Sequence, residues 1–138
     1  MIVLDTNVLS ALMRAIPAAE VVAWLDAQPR SSIWTTSISV LEISFGLQVM
    51  ASGRRRTALI EAFDGLMENL DYRVAEFDTD AAQRAAALMA TRQKKGRPGD
   101  LRDTMIAGIV LSRRATLATG NTVHFQDACV PLLNPWKS

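Results

Sequence analysis

The chain has 138 residues, of which 49% are apolar and 6% aromatic, a length and composition that suit one domain, 1–138, folding without staples. A formal net charge of +1 excludes a molecule that holds polyanions by its charge as a whole, so any nucleic-acid contact has to come from local basic patches. A single cysteine excludes an internal disulfide and fits a reducing cytoplasm, and no apolar run approaches the ~20 residues that cross a bilayer, so no membrane partner is expected.

The first predicted element is a strand over residues 2–5. Ile2, Val3 and Leu4 run directly into Asp5, Thr6 and Asn7, the pattern of a parallel strand covered on both faces and ending at a crevice. A short helix over 8–13 stops before Pro17, and a second, about 18–27, ends before Pro29. The next strand is 33–36. Thr36 or Ser37 then caps a helix running to about residue 51. Ser52-Gly53 breaks it, and 54–69 reads as a further amphipathic helix. A third strand over 72–77 is followed by Asp78, Thr79 or Asp80 as cap of an Ala-rich helix reaching about residue 95. Gly96-Arg97-Pro98-Gly99 is a loop. A helix over 100–113, a strand over 115–119, the Gly120-Asn121 turn and a fifth strand over 129–133 complete the order. Cys129, beside that last strand, reads as a small core hydrophobe. Strand and helix alternate throughout, which predicts a doubly wound α/β domain.

Three acids stand where apolar neighbours should exclude them. Asp5 ends the first strand, where a charge is costly unless a metal or a donor compensates it. Glu42 lies among Val40, Leu41, Ile43, Phe45 and Leu47; Ser39 to Glu42 also matches the S-x-x-E capping box, so capping and a catalytic role both stand. Asp103 shares a helix face with Ile106, Ala107 and Val110. Its alternative role as a first-turn acid is better filled by Asp100. Right-handed crossovers bring strand ends and the helix starts after them to one sheet edge. Should strands one and four be neighbours, Asp5, Asp103 and the Thr119–Asn121 turn meet there. Clustered carboxylates repel unless a cation neutralises them, and an all-oxygen set suits Mg²⁺ or Mn²⁺. Such an ion can activate water towards a phosphodiester.

The segments IVLDTN, ISVLEISFG, DLRDTMIAGIV and LATGNTVHF, in that order over essentially the whole chain, resemble the PIN-domain ribonucleases, toxins of the VapC and FitB kind. The resemblance implies a three-layer α/β/α domain with a parallel sheet of about five strands. It also implies Mg²⁺- or Mn²⁺-dependent cleavage of RNA, a cognate antitoxin and a toxin homodimer. Carried over by position, the family's acids fall on Asp5, Glu42 and Asp103, with Asp5 and Asp103 as metal ligands. Thr6 and Asn7 in the first motif, and Thr119 and Asn121 in the last, would position carboxylates, water or phosphate. One departure stands out. Many relatives carry an aspartate immediately before the phenylalanine of the last motif, where this chain has His124. Histidine is no equal ligand for Mg²⁺ but can bind Mn²⁺ or contact phosphate; nearby Asp127 is a candidate substitute.

Two basic runs remain, Arg54-Arg55-Arg56 and Arg92-Gln93-Lys94-Lys95-Gly96-Arg97. The second precedes the Asp103 helix and could flank the acidic pocket and hold RNA; solvated helix ends are the plainer reading. Trp24, Trp34 and Trp136 are too scattered to form a binding box, and core packing is their default. Two other functions fit parts of the pattern. An aspartyl-phosphate phosphatase or receiver-type switch also places an acid after strand one, but the phosphatases want a second acid where Asn7 stands. A degenerate, non-catalytic binding module is the reading that His124 suggests.

Overall fold

In the computed structural model, which describes residues 1–137, five short strands form one parallel sheet in the order β3-β2-β1-β4-β5. The strands are β1 (Ile2–Leu4), β2 (Ile33–Thr36), β3 (Val74–Ala75), β4 (Thr116–Ala118) and β5 (Leu132–Leu133). The helices are α1 (Thr6–Met13), α2 (Ala19–Asp26), α3 (Ser37–Val49), α4 (Arg54–Asn69), α5 (Thr79–Lys94) and α6 (Leu101–Ser112). Val3 pairs with Trp34 of β2 and Leu117 of β4, and Leu4 with Ala118. The expected three-layer α/β/α architecture is therefore present, with strands one and four adjacent.

Alternation along the strands splits the core in two. Val3 and Leu117 belong to a cluster with Ala81 and Leu88 of α5 and Ile106, Ile109 and Val110 of α6. Leu4 and Ala118 belong to the other, with Val8 and Leu9 of α1, Trp24 of α2, Ile43 and Leu47 of α3, and Phe63 and Met67 of α4. Trp24 is thus a core residue. Between α5 and α6 the approach is unusually close. A Cβ added at Gly108 would stand 2.5 Å from the Ala81 carbonyl oxygen and 2.8 Å from the Ala85 Cβ.

Several boundaries differ from the expectation. The first strand stops at Leu4 because Asp5 already caps α1, which starts at Thr6. The strand expected over 72–77 shrinks to Val74–Ala75: Asp71 and Tyr72 lie in the left-handed region (φ 49° and 52°), where the chain turns off α4. The fifth strand is Leu132–Leu133, since Cys129 is also left-handed (φ 58°). Cys129 is exposed as well, so its reading as a core hydrophobe fails. Helix α3 ends at Val49.

The chain leaves β1 towards β2 and β3, then returns to β4 and β5 on the other side. The order therefore reverses between β1 and β4. In open α/β sheets such a reversal leaves a crevice beyond the carboxyl ends of the two strands.

Candidate active site

Asp5 and Thr119 are the residues immediately beyond the ends of β1 and β4, and they meet in that crevice. The Asp5 amide continues the ladder by donating to the Ala118 carbonyl at 2.9 Å. The side chain of Asp5 is 3% exposed and accepts from the Thr6 amide at 2.8 Å and the Thr119 hydroxyl at 2.7 Å. Thr119 Oγ1 in turn accepts from Asn7 Nδ2 at 3.2 Å and from the Asn121 amide at 3.0 Å. Its single proton is therefore free to point at the carboxylate. Asn7 is oriented by both ends: Oδ1 accepts from the Gly120 amide at 3.1 Å, and Nδ2 also donates to Asp5 Oδ2 at 3.3 Å. Asn121 contributes through its backbone.

Glu42 arrives from the second turn of α3. Its Oε1 accepts from the Thr6 hydroxyl at 2.8 Å, and Thr6 Oγ1 lies 2.9 Å from Ser39 Oγ. The proton of Thr6 is spent on Glu42, so Ser39 is the donor to Thr6. Thr36 Oγ1 donates to Ser39 Oγ at 3.3 Å. Three hydroxyls thus form a directed chain ending on a carboxylate, a network in which each bond polarises the next. The capping-box reading of Ser39 and Glu42 fails, because Thr36 caps α3 by accepting from the Ser39 amide at 3.0 Å. The other Glu42 oxygen faces Arg102 Nη1 at 3.7 Å.

Asp103 stands in the first turn of α6, behind the cap that Asp100 supplies by accepting from the Asp103 amide at 3.1 Å. As expected, Ile106, Ala107 and Val110 bury the face below it. Asp103 Oδ2 lies 3.1 Å from His124 Nδ1. His124 therefore stands beside Asp103, as its place in the last motif implies, with an imidazole set against a carboxylate.

The carboxyl of Asp5 is pushed up to about 6, above all by burial. The bonds from Thr119 and Thr6 pull it down, and the charges of Asp103 and Glu42 push it up again. The charges of both other acids therefore reach Asp5. A cation in the crevice removes both penalties, the desolvation and the repulsion.

The donor set fits a hard divalent ion held by few protein ligands. Among the described residues no group of three or more His, Cys, Asp or Glu side chains converges into a metal cage. Both oxygens of Glu42 face protein donors, whereas Asp103 Oδ1 has no protein hydrogen-bond partner and Asp5 keeps spare acceptor capacity. Two carboxylates with waters and substrate phosphate is the shell that Mg²⁺ commonly takes.

Asp127 and Arg92 depart from the roles expected of them. Asp127 is not available as a substitute ligand: Arg92 Nε and Nη2 grip its two oxygens at 2.9 and 2.8 Å and hold its carboxyl below the usual range. Arg92 itself is 3% exposed, so it belongs to no solvated helix end and no RNA surface. Neither pairing has a local signal, since an arginine in a basic run looks like its neighbours. Ser39 and Arg102 join the site without having been expected there; the capping pattern hid Ser39.

A family model described as the PIN domain matches residues 2–130. The VapC ribonuclease Y4jK of Sinorhizobium fredii is 38% identical over 138 residues, covering 99% of each chain. The toxin FitB of Neisseria gonorrhoeae is 31% identical over 137 residues, again covering 99% of each. The crystal structure of FitAcB from the same organism superposes with a TM-score of 0.90 at 30% identity, covering 100% of both chains.

Proposed function

The chain belongs to the PIN-domain family, and on that premise we propose that it is the metal-dependent endoribonuclease toxin of a toxin–antitoxin pair. The observation that carries the reading is the buried Asp5 carboxylate, capped by Thr6 and Thr119 at the β1–β4 switch point and raised by the charges of Asp103 and Glu42. Asp5 and Asp103 are the residues that would hold Mg²⁺ or Mn²⁺. Bound there, the ion supplies Lewis-acid activation of water and neutralises charge on the leaving oxygen of an RNA phosphodiester.

The chain's own residues do the rest by position and charge. Thr119 and Asn7 fix the rotamer of Asp5, so that one edge of the carboxylate faces the crevice. Thr6, backed by Ser39 and Thr36, fixes Glu42, whose charge stays in the acidic cluster and takes part directly or through water. Glu42 also draws Arg102 to the rim, where a cation meets the RNA backbone. His124 stands exposed with Nδ1 against Asp103, and its other nitrogen, without a protein partner among the described residues, is suited to a phosphate oxygen. The aspartyl-phosphate alternative has less support, because Asn7 stands where the second acid is needed and its amide is committed to Asp5, Thr119 and Gly120.

The toxin reading includes a cognate antitoxin and a homodimer as partners. An exposed apolar stripe along α3 supports a protein contact: Leu41, Phe45 and Val49, four residues apart, are 57%, 60% and 65% exposed. Location is read as cytoplasmic from the lone cysteine; among the described residues no helix is long and apolar enough to cross a membrane.

The test is expression of the wild type and of Asp103→Asn without a partner. Growth arrest, and RNA fragments that appear only with added Mg²⁺ or Mn²⁺, are expected for the wild type and not the variant. Equal behaviour of the two would sink the assignment of Asp103.

A further inference from the structure

A cleft of about 540 Å³ opens beside Asp103, between the loop joining α5 to α6 and the turn after β4. That volume lies in the range of sites that enclose a small ligand. Asp103 and His124 belong to the site already described, but Lys95, Arg97, Val123 and Gln126 line the same space and have no part in it so far.

Neither cation is paired among the described residues, although Lys95 adds a weak pull on the Asp127 carboxyl, which lines the cleft with Asp100. Among the described residues neither Lys95 nor Arg97 forms an ion pair, and the Asp127 carboxylate between them and the turn is already gripped by Arg92. The backbone that carries them is held in place, with both side chains exposed. The Arg97 amide donates to the Arg92 carbonyl at 2.8 Å and the Gly96 amide to the Gln93 carbonyl at 3.0 Å, with Gly96 at φ 67°. This is a Schellman-type helix end, and Pro98 restricts the loop beyond it ahead of the left-handed Gly99. Val123, 73% exposed, is an apolar side chain facing solvent with no core role, and Gln126 offers an amide that can donate and accept.

The walls are welded before any ligand arrives. Arg92 reaches from the end of α5 to Thr104 Oγ1 of α6 at 2.7 Å and to the His124 carbonyl at 3.0 Å, besides Asp127. Only a glycine fits above it, since a Cβ at position 99 would stand 2.9 Å from Arg92 Nη1. A preformed cleft with cations on a fixed backbone, an apolar surface and a free amide matches the chemistry of a nucleotide: phosphate, base face and base edge.

We infer that this cleft is the subsite for the nucleotide flanking the scissile phosphate of single-stranded RNA, with Lys95 and Arg97 on its phosphate, Val123 against its base and Gln126 at the base edge. The inference rests on the ribonuclease reading and adds where the substrate's neighbouring residue is held. A pocket of this size takes one splayed-out nucleotide and not a duplex, and a base presents its face and edge only when unpaired.

The probe is a fluorescently labelled, mixed-sequence RNA oligonucleotide, compared with a dinucleotide that has only the scissile phosphate. In the Lys95→Ala/Arg97→Ala double variant, KM for the oligonucleotide is expected to rise by about tenfold with kcat kept, while the dinucleotide is cleaved as by the wild type. The slope of log affinity against log salt should fall by about 0.7, the value for one phosphate contact in a single strand. Val123→Asp is expected to raise KM for both substrates, because the dinucleotide keeps the flanking base and lacks only its further phosphate. Both sites are exposed, and unchanged melting temperatures show that the fold is intact. Equal loss on both substrates in the double variant, an unchanged salt slope, or a Val123→Asp protein indifferent to either substrate overturns the subsite. Anisotropy of the oligonucleotide on the Asp103→Asn protein separates this failure from failure of the nuclease reading. Binding that depends on Lys95 and Arg97 without any wild-type cleavage keeps the subsite and removes the nuclease. Cleavage with binding indifferent to the pair does the reverse. If the double variant loses a protein partner and not RNA, the subsite is also overturned.

Discussion

At the scale of single residues the molecule is organised by one unfavourable charge. Asp5 is buried and its carboxyl lies near 6, against an ordinary 3.8. The folded, metal-free protein therefore takes up a proton between those two values that the unfolded chain does not. The Asp5 contribution is accordingly fully favourable below about 3.8 and is lost as pH rises through about 6. The loss is at most about 3 kcal/mol at neutral pH, from a shift of roughly two units at 1.36 kcal/mol each. Asp5→Asn removes the charge but turns one oxygen that accepts from Thr119 into a donor, which returns about 1 kcal/mol of the gain. Metal-free Asp5→Asn should thus be more stable than the wild type at pH 7 by about 1–2 kcal/mol, with the gap closing towards pH 4. Chemical denaturation in EDTA at both pH values measures this. A variant less stable than the wild type at pH 7 would mean that the buried charge is fully compensated by its donors. The acids themselves were legible in the sequence, because apolar surroundings make a carboxylate conspicuous. Their supporting hydroxyls were less so: Ser39 and Thr36 are ordinary first-turn and strand-end residues until the fold brings Thr6 beside them.

At the scale of elements, the helices were more legible than the strands. Helix starts have chemical signatures, and Thr36, Asp78 and Asp100 each cap where the pattern placed a cap. Strand ends do not, since a strand of two residues such as Val74–Ala75 is decided by its neighbours and not by its own apolar run. Gly108 carries a constraint that periodicity cannot report. By helix propensity alone Gly→Ala inside α6 should stabilise by up to about 1 kcal/mol. The fold demands the opposite, because the new Cβ would meet backbone, the Ala81 carbonyl oxygen at 2.5 Å, and α5 has to shift. Gly108→Ala is expected to destabilise by about 1–3 kcal/mol, the usual cost of overpacking a core. Thermal unfolding decides between the two, and a melting temperature at or above that of the wild type would show that α5 and α6 separate without cost. Because Thr104 and Asp103 lie on the same helix, the variant should also weaken the Arg92–Thr104 bond and lower activity more than stability alone requires.

At the scale of the whole molecule, topology turns separated motifs into one site. Asp5 and Thr119 are 114 residues apart, and Thr6 and Glu42 are 36 apart; each pair touches because β1 lies between β2 and β4. Chain order alone puts all of these residues at one sheet edge, but only on the condition that strands one and four are adjacent. The Arg92 network was not legible, since nothing local distinguishes a buried arginine at a helix end from its exposed neighbours Lys94 and Lys95. A net charge near zero hides an acidic crevice beside a basic loop. A cation held by that arrangement, as proposed, would be linked to the stability of the entire domain, because the unfolded chain has no such cluster to bind it. Saturation at one hundred times the dissociation constant adds about 2.7 kcal/mol. For a domain of this length that is a rise in Tm of about 8–10 °C. The rise should be largest above pH 6 and fade as pH falls through that value, because the ion must then compete with a proton for Asp5. Calorimetric scans with and without MnCl₂ at pH 7.5 and pH 5 test this, with Asp103→Asn as the control that removes the shift at both. A cation-induced rise that is equal at the two pH values, or that survives loss of Asp103, would place the ion somewhere other than this crevice.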